Sequence, residues 1–163
     1  MQDGIDLIND DRPAFAELPE LERVLLWSMR VWVIGHCRQQ LVSARIATAL
    51  GEHGLEGSLP ELDAFMGALS RGASRPIELL CLCRAEVSDD ERLLLDAFAL
   101  CQQDEADDAQ TALCTFLTDH AATYAVRKAE AVALDFLDAG ASLPWNVEHQ
   151  GRRVAITQPL VLH

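Results

Sequence analysis

Apolar positions along this chain fall into helical spacing over most of its length. From 19 to 38, "PELERVLLWSMRVWVIGHCR" opens with Pro19 at a first-turn position and Glu20 and Glu22 in that turn, then becomes almost continuously apolar. Leu21, Val24, Leu25, Trp27, Met29, Val31, Trp32, Val33 and Ile34 do not fit on one helix face, so this helix is expected to be central or shared with a second subunit. An unbroken helix from 19 to 50 would be roughly 48 Å long at about 1.5 Å per residue, too long for a compact domain of this size. A bend or break is therefore expected between Gly35 and Leu41. A second helix then ends near Leu50 at the Gly51–Gly57 loop, and a third runs from Pro60 to Gly72.

Downstream, "SDDE" from Ser88 to Glu91 reads as a capping box, in which the serine oxygen accepts from the backbone of Glu91 and the glutamate side chain reaches back. The helix it starts is expected to run to about Gln103. Ala109, Ala112, Leu113, Phe116 and Leu117 then form one amphipathic face. Asp119 is expected to cap a last helix, about 120–139, stopped by Gly140. Its ridge of Ala121, Ala125, Ala129 and Ala133 allows close backbone approach and is expected to pack on the 19–38 helix.

The ends differ in kind. In the tail, Trp145, Val147 and His149, then Val154 and Ile156, follow period two, and Gln150-Gly151 can turn a short β-hairpin between them. At the other end only Ile5, Leu7 and Ile8 cluster before two acids and a proline. The expected fold class is all-α: a single-domain irregular or orthogonal bundle of six to seven helices at 19–140, with an N-terminal arm at 1–18. A C-terminal extended arm at 141–163 is expected to dock on the helical core or a partner subunit.

Length and composition agree with one domain. A chain of 163 residues, half of them apolar, can bury roughly 70% of the surface its unfolded form exposes. The net charge of −13 is uneven: residues 1–22 hold seven acids and one base, 23–75 four acids and six bases, and 76–120 eleven acids and two bases. Such a chain repels nucleic-acid phosphates, so no nucleic acid is expected as a partner. The most apolar run, Val24 to Cys37, is interrupted by Arg30 and falls short of the about 20 residues needed to cross a bilayer, so no membrane association is expected. Five cysteines, an odd number, with no signal-peptide pattern, point to a reduced, cytoplasmic setting.

The sharpest chemical question is the pair Cys81 and Cys83 within "RPIELLCLCRAEVSDDE". Two sulfurs at this spacing share one face in a strand and lie some 200° apart in a helix at about 100° per residue. The window 76–84 is rich in Leu, Glu, Cys and Arg, with Pro76 suited to a first turn, so a helix is favoured and the cysteines are expected to pack as small hydrophobes. A zinc site also wants four ligands in two close pairs, and no second pair is present beyond the neighbours His36 and Cys37. Asp104, Glu105, Asp107 and Asp108 lack the glycine and the last glutamate of an EF-hand loop. Glu-x-x-His pairs, H-E-x-x-H, the P-loop, G-x-G-x-x-G and G-x-S-x-G are absent. His120, beside Asp119 and four residues before Tyr124, is the best isolated catalytic candidate, and its plain reading is a solvated first-turn histidine.

Arg23, Arg30, Arg38 and Arg45 are spaced by seven, eight and seven residues. On an unbroken helix they lie within about 80° of one another. Such a stripe serves either as a contact surface for an acidic partner or as internal ion pairs with the acidic 76–120 region. The leading expectation is a non-catalytic interaction or regulatory module, homodimeric, with no cofactor. Its candidate contact residues are Arg23, Arg30, Arg38, Arg45 and Trp145. The alternatives are a thiolate metal- or ligand-binding protein using Cys81 and Cys83, with Cys101 or His36 as further ligands, and a small enzyme without a local motif.

Overall fold

A computed structural model describes residues 13–144. Trp145, the Gln150-Gly151 turn and the Ile5–Ile8 cluster lie outside those residues. Among the described residues the chain forms six α-helices, α1 (Glu20–Arg38), α2 (Ser43–Gly51), α3 (Leu59–Gly72), α4 (Asp89–Gln102), α5 (Ala106–Leu113) and α6 (Asp119–Asp138), with single 3-10 turns at Phe15–Glu17 and Glu56–Ser58 and no strand. The all-α bundle expected from periodicity is what forms. No helix among the described residues is long and apolar enough to cross a membrane.

The expected break after Gly35 is present. Gln39 takes the left-handed conformation at the end of α1, and Gln40 donates its backbone N–H to the carbonyl of Gly35. A Cβ on Gly35 would lie 2.5 Å from a Val42 methyl carbon, so the tight corner into α2 depends on glycine there. Two terminal assignments differ by a residue: Pro19 is the residue before α1, and the cap of α6 is Thr118, whose hydroxyl accepts from the backbone of Ala121, rather than Asp119.

The most enclosed helix is α4, where every residue from Leu94 to Leu100 is buried against neighbours that include α1, α5 and α6. The apolar residues of α1 from Leu21 to Ile34 are at least partly covered, with α2, α3, α4 and Phe15 among their neighbours, and Cys37 is exposed. No fully exposed apolar face of α1 is left for a second subunit to cover. The alanine ridge of α6 meets a different partner from the one expected: its principal neighbours are α3 and α4, not α1. Close approach is most acute where α3 ends, and there the Thr118 N–H donates to the Gly72 carbonyl at 3.0 Å. Phe65 of α3 and Phe98 of α4, with ring centroids 4.7 Å apart, fill the interior. The start of the C-terminal arm is tied down, because Gln102 donates to the Ala141 carbonyl at 3.1 Å and accepts from the Leu143 N–H at 2.7 Å.

A Cβ built on Gly72 falls 2.1 Å from the Cβ of Ala121, an atom that no rotamer change can move. Gly72→Ala is expected to destabilise the protein by about 1–3 kcal/mol through overpacking. Adding Ala121→Gly should recover most of the loss in urea unfolding, whereas an unchanged midpoint in Gly72→Ala would show that α3 and α6 separate freely.

Candidate functional site

Residues 73–88, between α3 and α4, contain no helix. This corrects the helix favoured over 76–84. The backbone of the segment is satisfied instead by side chains brought from two helices, a long-range option that local propensity does not register.

The first source is the N-terminus of α4. Its capping box forms as the sequence indicates: Ser88 Oγ accepts from the Glu91 N–H at 3.1 Å, and Glu91 Oε2 accepts from the Ser88 N–H at 2.9 Å. The two acids inside it also turn back toward the preceding loop. Glu91 Oε1 accepts from the Leu80 N–H at 2.9 Å, and Asp90 accepts from the Glu78 N–H at 2.8 Å. The Ser88 hydroxyl donates to the Glu78 carbonyl.

The second source is Arg30, buried in the middle of α1 at 1% exposure. Its Nε and Nη2 each donate to Glu91 at 2.8 Å. Nη2 also donates to the Glu86 carbonyl at 2.7 Å, and Nη1 to the carbonyls of Arg84 at 3.0 Å and Cys81 at 3.4 Å. A guanidinium has five N–H donors and a carboxylate about four acceptor positions. Arg30 makes five bonds, and Glu91, taking two from Arg30 and one each from Leu80 and Ser88, is saturated as well. Phe15 places its ring 5.0 Å from the guanidinium and donates its backbone N–H to the Ala85 carbonyl, so the N-terminal segment closes the anchor from the other side.

Three further ion pairs, made by two arginines, flank this centre. Arg75 grips Asp90 with two bonds of 2.8 and 2.9 Å, and this hydrogen-bonded guanidinium holds the Asp90 carboxyl below the usual aspartate range. Arg92 joins Glu22 of α1 to Asp96, fixing α1 on α4 at a second point.

Held in this way, the loop presents a turn at 81–84, closed by the Arg84 N–H donating to the Cys81 carbonyl at 3.0 Å. Cys81 and Cys83 are exposed, not packed in the core, and are joined to each other by a disulfide with Cα atoms 5.4 Å apart. Leu82 stands exposed between them, and Arg84 is paired with Glu86. The other thiols are free: Cys37 is exposed, while Cys101 and Cys114 are partly buried. Burial, with the nearby Glu130 charge, pushes the Cys101 thiol up to about 12. Burial and Asp119, which accepts from the Cys114 sulfur at 3.7 Å, raise the Cys114 thiol too.

The structure separates most of the other candidates. Arg30 is internal and cannot belong to an outward stripe; Arg23 donates to the Ala16 carbonyl, Arg45 lies 5.8 Å from the Trp27 ring, and Arg38 is exposed. Neither Cys101 nor His36 joins Cys81 and Cys83. Among the described residues no three His, Cys, Asp or Glu side chains converge as a metal site would require. His120 is exposed in the first turn of α6.

One apolar cleft of about 210 Å³ adjoins the loop, lined by Trp32, Val33, Met66, Leu69, Ile77 and Leu79 among others. At its edge His36 stacks on Trp32 with ring centroids 4.9 Å apart and its Nε2 lies 3.3 Å from Ser70 Oγ, while the Trp32 N–H donates to Asp63 at 2.8 Å. Among the described residues this Ser–His pair is not joined by the other parts of an acyl-transfer site. The histidine is oriented by an indole face rather than a carboxylate, and Ser70 lies in the last turn of α3, whose carbonyl end repels a developing oxyanion.

Arg30 makes the internal ion pair with the acidic 76–120 region that was one reading of the arginine series, but sequence reasoning missed that its partner is the capping-box Glu91. Two signals pointed to it: a lone arginine inside an apolar helix must find a buried acceptor, and a capping-box glutamate is positioned beside the chain that precedes its helix. No family model, curated protein or solved structure matches the chain.

Removing one member of a buried ion pair typically costs about 3–5 kcal/mol, and Arg30→Met is expected to fall in that range. Substituting both partners with apolar residues is often neutral. Here Arg30→Met with Glu91→Leu should not recover stability, because the carbonyls of Cys81, Arg84 and Glu86 and the N–H groups of Leu80 and Ser88 lose their partners. A near-native unfolding midpoint for the double variant would refute this account. Asp90 gives a pH prediction: its folded value lies below the ordinary 3.8, so its stabilisation is complete above that value and lost as pH falls through the folded one. Asp90→Asn should flatten the acid limb of a stability–pH profile while leaving its shape near neutrality unchanged.

Proposed function

We propose that the chain is a non-catalytic interaction and regulatory module whose working element is the anchored 73–88 loop. The observation that carries this reading is the saturated Arg30–Glu91 centre, which fixes an exposed, non-helical loop on a rigid helical scaffold. Loops of this length without secondary structure are uncommon in compact domains, and they are usually functional where they occur. Binding residues gather on loops that a scaffold positions. A buried ion pair is weak support for stability as such, but it can select one conformation among several.

This reading moves the contact element away from α1. The expectation of a homodimer drew on the nearly all-round apolar α1 and on the tail with Trp145; the chain's own elements cover most of the apolar side chains of α1 at least in part. The surface now proposed to meet another protein is the turn carrying Leu82, with Arg84 and Glu86 beside it. Whether that protein is a second copy of the chain is decided by mass in solution.

A photo-crosslinking residue at Leu82 and another at Leu134, also exposed but on α6, provide the test in cells that make the protein natively. Position 82 should yield one discrete adduct that position 134 does not, and light scattering should assign it to a dimer or a different partner. Absence of an adduct at 82, or identical adducts at both positions, would sink the proposal.

A further inference from the structure

Cys81 and Cys83 lie on this loop but are not explained by its anchoring. Both are exposed, and they sit on the 81–84 turn rather than in the core. The backbone on each side is fixed independently of the sulfur–sulfur bond. Before the pair, the Leu80 N–H is held by Glu91 at 2.9 Å; at and after it, the carbonyls of Cys81, Arg84 and Glu86 are held by Arg30. Opening the bond therefore leaves the two thiols tethered within a few residues of each other, at the high effective concentration that favours re-closure. A disulfide that only staples the fold has a different setting: it joins distant segments and gains from closing a long loop, whereas this one closes a loop of one intervening residue.

From this geometry we infer that Cys81 and Cys83 form a thiol–disulfide exchange site that takes dithiols as its co-reactant and switches the apex of the 73–88 loop. In the exchange, a thiolate of the dithiol attacks the sulfur of Cys81 or Cys83, a mixed disulfide forms, and the other cysteine leaves as a thiolate and takes up a proton. The dithiol's second thiol, deprotonated, then attacks its own sulfur in the mixed disulfide and releases the remaining cysteine, which is protonated in turn. Two electrons and two protons pass to the chain: the Cys81–Cys83 bond becomes two thiols, and the dithiol becomes a disulfide. The reverse sequence restores the bond from a disulfide donor. The rest of the loop remains on its anchor in both states, so the change is confined to residues 81–83 and to Leu82, the proposed contact side chain. Cys101 does not compete, being partly buried and held as a thiol.

The test uses the full native chain equilibrated in glutathione buffers of stepped ratio or with dithiothreitol, quenched in acid, alkylated and mapped by peptide mass. Cys81 and Cys83 should convert together, both protected in oxidising buffer and both alkylated in reducing buffer, with an unchanged circular dichroism spectrum. When native, reduced protein is alkylated, Cys101, partly buried, should react more slowly than either. Cys81→Ser should leave Cys83 carrying a glutathione adduct in oxidising buffer. Free thiols at 81 and 83 in oxidising buffer would overturn the inference, as would a bond that millimolar dithiothreitol opens only after the chain unfolds. The inference on exchange stands apart from the recognition reading: if the pair titrates while position 82 captures nothing in either redox state, exchange holds and recognition falls.

Discussion

The architecture around the 73–88 loop depends on one guanidinium. Arg30 enters the interior from the middle of an apolar helix, and its five hydrogen bonds divide between a carboxylate and three backbone carbonyls. A lone buried charge is intolerable, and a buried pair barely repays its desolvation against an apolar alternative. The alternative is closed here because the partners are mostly backbone. A loop that leaves helical geometry keeps every N–H and C=O it had, and buried ones must be paired. Arg30 and Glu91 supply side-chain partners for five of the loop's backbone groups, part-buried or buried, including the Ser88 N–H of the capping box. The ion pair and the loop conformation therefore share one set of hydrogen bonds.

This explains why a capping motif could be read from the sequence while its second role could not. Ser88 and Glu91 satisfy each other within four residues, so the spacing alone reveals them. The bonds from Glu91 to Arg30 cross 61 residues, and nothing in either local segment encodes that distance. The helix expected at 76–84 failed for the same reason, because propensities differ by only tenths of a kcal/mol per residue while each buried, satisfied polar group is worth about 1 kcal/mol or more. The periodicity of the arginines was real, but period says where a residue faces on a helix, not whether that face is wet. Arg30 lies between Met29 and Val31, both buried, and those neighbours were the better guide.

Outside 76–84, helix existence was legible, and boundaries such as the break after Gly35 and the stop at Gly140 carry a local cause. Pairing between helices was not. The alanine ridge of α6 announces close approach to some backbone, and Gly72 on α3 is the complementary small residue that receives it. A ridge of small side chains specifies distance without specifying a partner, and several helices offered an apolar face.

The cysteines show how the anchor changes the meaning of a local pattern. In a helix, Cys81 and Cys83 would point apart and behave as packing residues; in the turn that Arg30 holds, their sulfurs are bonded to each other and both side chains are exposed. Their placement is thus set by an arginine some fifty residues earlier, through the Cys81 and Arg84 carbonyls it binds. The anchor fixes where the pair stands and does not enter the sulfur chemistry, since its charge is matched by Glu91 and that of the neighbouring Arg84 by Glu86. Reactivity at this turn accordingly follows from exposure and proximity. That separation lets the apex change state while the scaffold beneath it keeps its hydrogen bonds.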